Sequence, residues 1–94
     1  MSNILLVGNG AREHAMAEAI SRSGQNPFLF SFMKANNPGI ASLSKISKLG
    51  SYSDLSAITG FALENKIDFA VIGPEDPLNN GVVDALTECG IPSA

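Results

Sequence analysis

Cysteine occurs once in these 94 residues, at Cys89, so an intrachain disulfide is impossible and no cysteine cluster exists to hold zinc. Standing beside Val82, Val83 and Leu86 in a helical pattern, Cys89 reads as a small core residue. Basic charge is scarce as well. Six Lys and Arg stand against nine Asp and Glu, a net charge of −3, which gives no general attraction for polyanions and excludes duplex nucleic acid as a partner. Long apolar runs are missing. A stretch such as Ile4-Leu5-Leu6-Val7 is far short of a membrane span, and no basic segment leads into a long apolar region and a cleavage site. A soluble, cytoplasmic protein with no membrane partner is expected. No glycine is followed by Lys-Ser or Lys-Thr, so a P-loop for nucleoside triphosphates is absent. Neither a nucleophile–histidine pair nor a metal-ligand cluster is present at a workable spacing, and no catalytic residue is assigned.

What remains is 45% hydrophobic and modestly charged, enough for one compact domain over residues 1–94 with a small core. Ile4-Leu5-Leu6-Val7 is apolar without alternation, as a strand covered on both faces of a parallel sheet reads. After Gly8-Asn9-Gly10 the period changes: Ala11, Ala15, Met16, Ala19 and Ile20 recur at helical spacing, and Gly24 suits the left-handed position past the helix end. Phe28 to Met33 reads as a second strand, completing a βαβ unit. The turn-prone Asn36-Asn37-Pro38-Gly39 leads into a short helix through Ile40 and Leu43, then a weak third strand from Lys45 to Leu49.

Ser53 is expected to cap the next helix, with Asp54 in its first turn and Leu55, Ile58 and Ala62 on its apolar stripe. The fourth strand is Phe69-Ala70-Val71-Ile72, apolar on both faces. Asp76 then reads as an N-cap with Pro77 at the first helical position, Leu78, Val82, Val83 and Leu86 line the last helix, and Gly90 closes it. Ile91 to Ala94 would approach a truncated fifth strand. Strands and helices alternating at such short spacing imply an α/β, doubly wound parallel sheet in the order 3-2-1-4, with the fifth strand following. The loops after strands one and four then flank the point where winding reverses, the usual ligand crevice.

Both of those strands end in glycine, at Gly8-Asn9-Gly10 and at Gly73-Pro74-Glu75. Glycine bends the backbone tightly and lets a ligand approach without a Cβ in the way. In the first turn a helix starts at once, so its N–H groups and positive dipole end favour an anion such as phosphate, and Arg12 in its first turn can add bidentate donors. His14 reads as a helix-orienting residue at the core edge, with ligand contact the alternative. Glu75 can accept hydrogen bonds from sugar hydroxyls or an amine, whereas Asp76 is spent on capping. A dinucleotide fingerprint would place a third glycine where Glu13 stands and an acidic residue after the second strand, but from Phe28 to Pro38 the only charge is Lys34. An NAD(P)- or flavin-binding oxidoreductase domain, with Lys34 facing a 2′-phosphate, therefore stays as one alternative, and a non-catalytic interaction module as another.

The string Val7-Gly8-Asn9-Gly10-Ala11-Arg12-Glu13-His14-Ala15 is similar to the opening motif of the phosphoribosylamine–glycine ligases of the ATP-grasp superfamily. Val71-Ile72-Gly73-Pro74-Glu75-Asp76-Pro77-Leu78 resembles their second motif, and the spacing and the following Gly81-Val82-Val83-Asp84 match too. The resemblance implies a Rossmann-like amino-terminal domain of a longer purine-biosynthesis enzyme. That enzyme joins 5-phosphoribosylamine to glycine through an acyl phosphate, converting ATP to ADP and phosphate and giving glycinamide ribonucleotide. It implies a substrate-binding set of Gly8, Asn9, Gly10, Ala11, Arg12 and Glu13 around the 5′-phosphate, and Gly73, Pro74 and Glu75 beside the ribose. Asn37 and Gly39 join this set, although many members read Pro-Gly-Asn where this chain has Asn36-Asn37-Pro38-Gly39. ATP, Mg²⁺ (or Mn²⁺) and glycine would be held mainly by ATP-grasp domains beyond Ala94, so the 94-residue chain alone is expected to be inactive.

Overall fold

The computed structural model describes residues 2–24, 27–73 and 79–93. Eight elements follow one another: β1 (Asn3–Val7), α1 (Ala11–Ser21), β2 (Phe28–Met33), α2 (Pro38–Leu43), β3 (Ile46–Leu49), α3 (Leu55–Glu64), β4 (Phe69–Ile72) and α4 (Asn79–Glu88). The four strands form one parallel sheet in the order β3-β2-β1-β4. Ser93 makes a parallel bridge to Ala70 and Pro92 accepts the Ala70 N–H, so the chain begins a fifth strand beside β4.

Alternation along the central strands sends side chains to two separate cores. Leu5, Val7, Phe30, Phe32, Ala70 and Ile72 pack with Ile58, Phe61 and Ala62 of α3 and Val82 and Leu86 of α4. Leu6, Leu29 and Met33 pack on the opposite face with Ala17 of α1 and Ile40 of α2. Both faces of β1 are thus covered, which is why its sequence is apolar from Ile4 to Val7. Cys89 is half-buried against the first of these cores. The edge strand β3 is exposed along its whole length, and Lys48 on it and Lys45 beside it discourage edge-to-edge pairing.

Helix ends correct two expectations. The cap of α3 is Asp54 and not Ser53: its Oδ1 accepts the Ala57 N–H at 3.2 Å, while the Ser53 hydroxyl pairs with Ser51. A carboxylate one residue later reaches the same unpaired N–H groups and also suits the positive end of the dipole. Gly24 is not a left-handed cap; α1 ends at Ser21 with Arg22 as its C-cap (φ −91°), whose N–H bonds to Glu18. Gly90 does hold the expected position, at φ +81°, with its N–H on Thr87 and the Ile91 N–H on Leu86. Those two bonds satisfy the last carbonyls of α4. The expected cap of α4 at Asp76 and Pro77, with Leu78 on its apolar side, lies outside the described residues.

Candidate functional site

The carboxyl ends of all four strands meet around the turn that follows β1. Gly8 continues β1, donating its N–H to Phe32, and then leaves the sheet at φ +144°, a conformation L side chains rarely adopt. Gly73, directly after β4, donates its N–H to Val7 at 2.9 Å. Gly8 and Gly73 are therefore brought side by side, at the point where the sheet reverses its winding.

Glu13 stands between them. It is only 4% exposed, on the third residue of α1, and its Oε1 accepts the Gly10 N–H at 2.9 Å. A Cβ on Gly8 would fall 2.4 Å from Glu13 Cγ, and one on Gly73 would fall 3.1 Å from Glu13 Cδ. Glycine at both turns makes room for this carboxylate. Glu13 thus occupies the place of the third glycine of a dinucleotide fingerprint and is packed behind the turn. Gly10 itself is the N-cap of α1, accepting the His14 N–H, and Ala11 and Arg12 begin the helix with exposed side chains.

Asn9, half-buried between the glycines, is held by two other loops. Its main-chain oxygen accepts from Asn37 Nδ2 at 3.0 Å, and its Oδ1 accepts from the Tyr52 hydroxyl at 2.7 Å. The Tyr52 oxygen in turn accepts the Lys34 main-chain N–H at 3.1 Å. Asn37 also caps α2, its Oδ1 accepting from Gly39 and Ile40 at 3.0 and 3.3 Å. That cap and the bond to Asn9 give Asn37 the role of a brace between α2 and the first turn. Gly39 lies under the imidazole of His14, where a Cβ would fall 2.2 Å from Cε1, so His14 sits at the α1–α2 junction as a core-edge residue does.

Of the residues expected at the site, Gly8, Asn9, Gly10, Ala11, Arg12 and Glu13 are gathered with Gly73, and Asn37 joins them through Asn9. Pro74 and Glu75 lie outside the described residues. Tyr52 was not among the expected residues. Its signals in the sequence were slight: the chain's one tyrosine, in a serine-rich loop just after Gly50 at the end of β3. Among the described residues no group of three or more His, Cys, Asp or Glu side chains could hold a metal ion. Nor, among the described residues, is any helix long and apolar enough to cross a membrane.

A parallel, doubly wound α/β sheet in the order β3-β2-β1-β4, with a glycine directly after each of the two strands at its switch point, defines the Rossmann-like class of domains. Within that class the chain belongs to the family described as Phosphoribosylglycinamide synthetase, N domain, whose model matches residues 2–94. Phosphoribosylamine–glycine ligase of Methanocaldococcus jannaschii is 52% identical over 88 residues, covering 94% of this chain and 20% of the relative. The ligase of Methanopyrus kandleri is 47% identical over 94 residues, covering 99% of this chain and 21% of the relative. The chain thus spans about a fifth of the length of these relatives.

Solved structures share the fold. An N5-carboxyaminoimidazole ribonucleotide synthetase crystallised with ADP aligns with a TM-score of 0.79 at 22% identity, over 97% of this chain and 23% of its own. Saccharopine dehydrogenase from Saccharomyces cerevisiae aligns with a TM-score of 0.81 at 14% identity, over 99% and 21%. RSP, a Rex-family repressor, aligns in its complex with β-NADH with a TM-score of 0.67 at 23% identity, over 97% and 43%.

Proposed function

We propose that this chain is the substrate-phosphate-binding domain of a phosphoribosylamine–glycine ligase. The observation that carries the reading is that Gly8 and Gly73 both pack on Glu13 beside the start of the helix at Ala11, in a chain of this family. The first N–H groups of α1 have no carbonyl one turn back within the helix, and with the positive end of the helix dipole they suit the 5′-phosphate of 5-phosphoribosylamine. Arg12, in the first turn, adds a cation that can grip two phosphate oxygens at once. Gly73 and the Pro74-Glu75 segment after it would border the ribose.

The role of these residues is to bind and orient the phosphoribosyl group, leaving the amine free to attack activated glycine. In the complete reaction the amine nitrogen bonds to the carboxyl carbon of glycine, ATP becomes ADP and phosphate, and glycinamide ribonucleotide forms. ATP, Mg²⁺ (or Mn²⁺) and glycine would be held by the remainder of a ligase of the relatives' length, in the cytoplasm, and the 94 residues alone would bind without turnover. Against a dinucleotide, Glu13 fills the space of the third glycine, and Lys34 stands after β2 where a ribose diol would need an acidic residue.

Titration of the ¹⁵N-labelled chain with ribose 5-phosphate tests the reading. The main-chain amides of Gly8 to Ala11 are expected to shift together, and NADPH at the same concentration to produce no comparable response. Silence of those four amides at millimolar ribose 5-phosphate would overturn it, and tight NADPH binding would transfer the site to the oxidoreductase reading.

A further inference from the structure

We infer that Tyr52 is a positioning residue for the phosphate-binding turn: its hydroxyl fixes the side-chain amide of Asn9 so that Nδ2 is offered to the phosphate oxygens. The inference rests on the phosphoribosyl-binding reading and adds to it a donor and the residue that aims it.

Hydrogen-bond polarity sets this arrangement. A main-chain N–H can only donate, so the Lys34 N–H occupies a lone pair of the Tyr52 oxygen. The hydroxyl carries one proton, and it is directed to Asn9 Oδ1 at 2.7 Å. Asn9 Oδ1 can only accept and takes that proton, so the chain Lys34 N–H to Tyr52 O–H to Asn9 Oδ1 has matched polarity at both links and holds the oxygen end of the amide against the tyrosine. Nδ2, with two N–H groups, is then turned away from Tyr52, and among the described residues nothing accepts from it.

The relay is rigid at each link. Tyr52 is 5% exposed and its ring packs on Phe32 at a centroid separation of 6.3 Å. The main chain of Asn9 is held independently by Asn37 Nδ2 at 3.0 Å. A donor already locked in its binding rotamer loses little entropy when a ligand arrives, and a half-buried N–H₂ group gains an acceptor in the process. Tyr52 need not touch the ligand for any of this.

The test follows the Asn9 side-chain N–H₂ resonances of the ¹⁵N-labelled chain during titration with ribose 5-phosphate, beside the main-chain amides of Gly10 and Ala11. In the unsubstituted protein the Asn9 pair is expected to shift with the same midpoint as those amides. In Tyr52→Phe, which keeps the packed ring, Gly10 and Ala11 should still respond while the Asn9 shift is lost and affinity falls roughly three- to tenfold. Asn9→Asp keeps an acceptor for Tyr52 but replaces the donor by a charged oxygen, and should bind more weakly than Tyr52→Phe. A stationary Asn9 pair while Gly10 and Ala11 shift in the unsubstituted protein would overturn the inference, as would unchanged affinity in Tyr52→Phe. If Gly10 and Ala11 themselves fail to respond, the phosphoribosyl reading falls and this inference with it, a result recognisable without any variant.

Discussion

Glu13 Oε1 accepts the main-chain N–H of Gly10 at 2.9 Å, so the third residue of α1 reaches back to hold the residue that caps it. A Ser, Thr, Asp or Asn cap would supply its own oxygen to the helix start; glycine has none, and the returning carboxylate supplies half of that arrangement. Because the same side chain lies against Gly8 and Gly73, the helix start and both turns share one buried group.

Glu13 is therefore expected to act through shape and hydrogen bonding. Glu13→Gln keeps an oxygen for Gly10 and should cost less than about 1 kcal/mol, whereas Glu13→Ala leaves a void and a half-buried N–H without its acceptor, costing about 2–4 kcal/mol. Urea unfolding of the two variants measures the difference. Equal losses in both would mean that the negative charge itself is what stabilises the turn.

A second prediction concerns two helix ends of the same design. After α4 the left-handed position is Gly90; after α3 it is Lys66, at φ +53°, with the Lys66 N–H on Leu63 at 3.3 Å and the Ile67 N–H on Ala62 at 3.0 Å. A residue with a Cβ is strained there, and glycine is not, although glycine loses more entropy on folding. Lys66→Gly should raise stability by about 0.5–1 kcal/mol, and Gly90→Lys should lower it by a similar amount. Thermal melts would check both signs; a loss of stability in Lys66→Gly would refute the strain assignment.

The contrast between these ends shows what could be read from the chain. Gly90 announces its helix end because glycine is the residue that the left-handed cap prefers, but Lys66 meets the same requirement without announcing it, and Gly24 announces an end that falls two residues early. The sheet was legible because β1 and β4 carry apolar residues on both faces, a pattern set by burial alone. Asp54 displaced Ser53 as a cap because two suitable residues were adjacent and only the path of the loop chooses between them. Glu13 drew notice as a missing glycine, yet its place between the turns depends on Gly73, which only the pairing of β1 with β4 brings close. Tyr52 and Asn9 are 43 residues apart, and no local pattern marks such a pair.

Gly39 and His14 form a third testable pair. With a Cβ 2.2 Å from the imidazole, Gly39→Ala requires the ring to swing away, and should cost about 1–3 kcal/mol. His14→Ala removes the obstacle, so the double variant should be more stable than the sum of the single effects by about 0.5–2 kcal/mol. Strict additivity in a denaturation cycle would show that the imidazole does not set the choice of glycine here.

Arg12 separates binding from folding. Its side chain is exposed on the first turn of α1, so Arg12→Ala should cost no more than about 1 kcal/mol of stability, the range of an exposed charge contact. If the guanidinium grips the phosphate, affinity for ribose 5-phosphate should fall by about 1–2 kcal/mol, roughly five- to thirtyfold, because a charge-assisted bond is lost. Binding by the unsubstituted chain should weaken as salt is added, and more steeply than binding by Arg12→Ala, since one screened charge has been removed from the encounter. Arg12→Lys should recover part of the loss, restoring the charge without the planar pair of donors. Titrations at two ionic strengths measure affinity and salt dependence together. Unchanged affinity and an unchanged salt slope in Arg12→Ala would leave Arg12 a solvated surface charge and assign the anion to the main-chain N–H groups and Asn9.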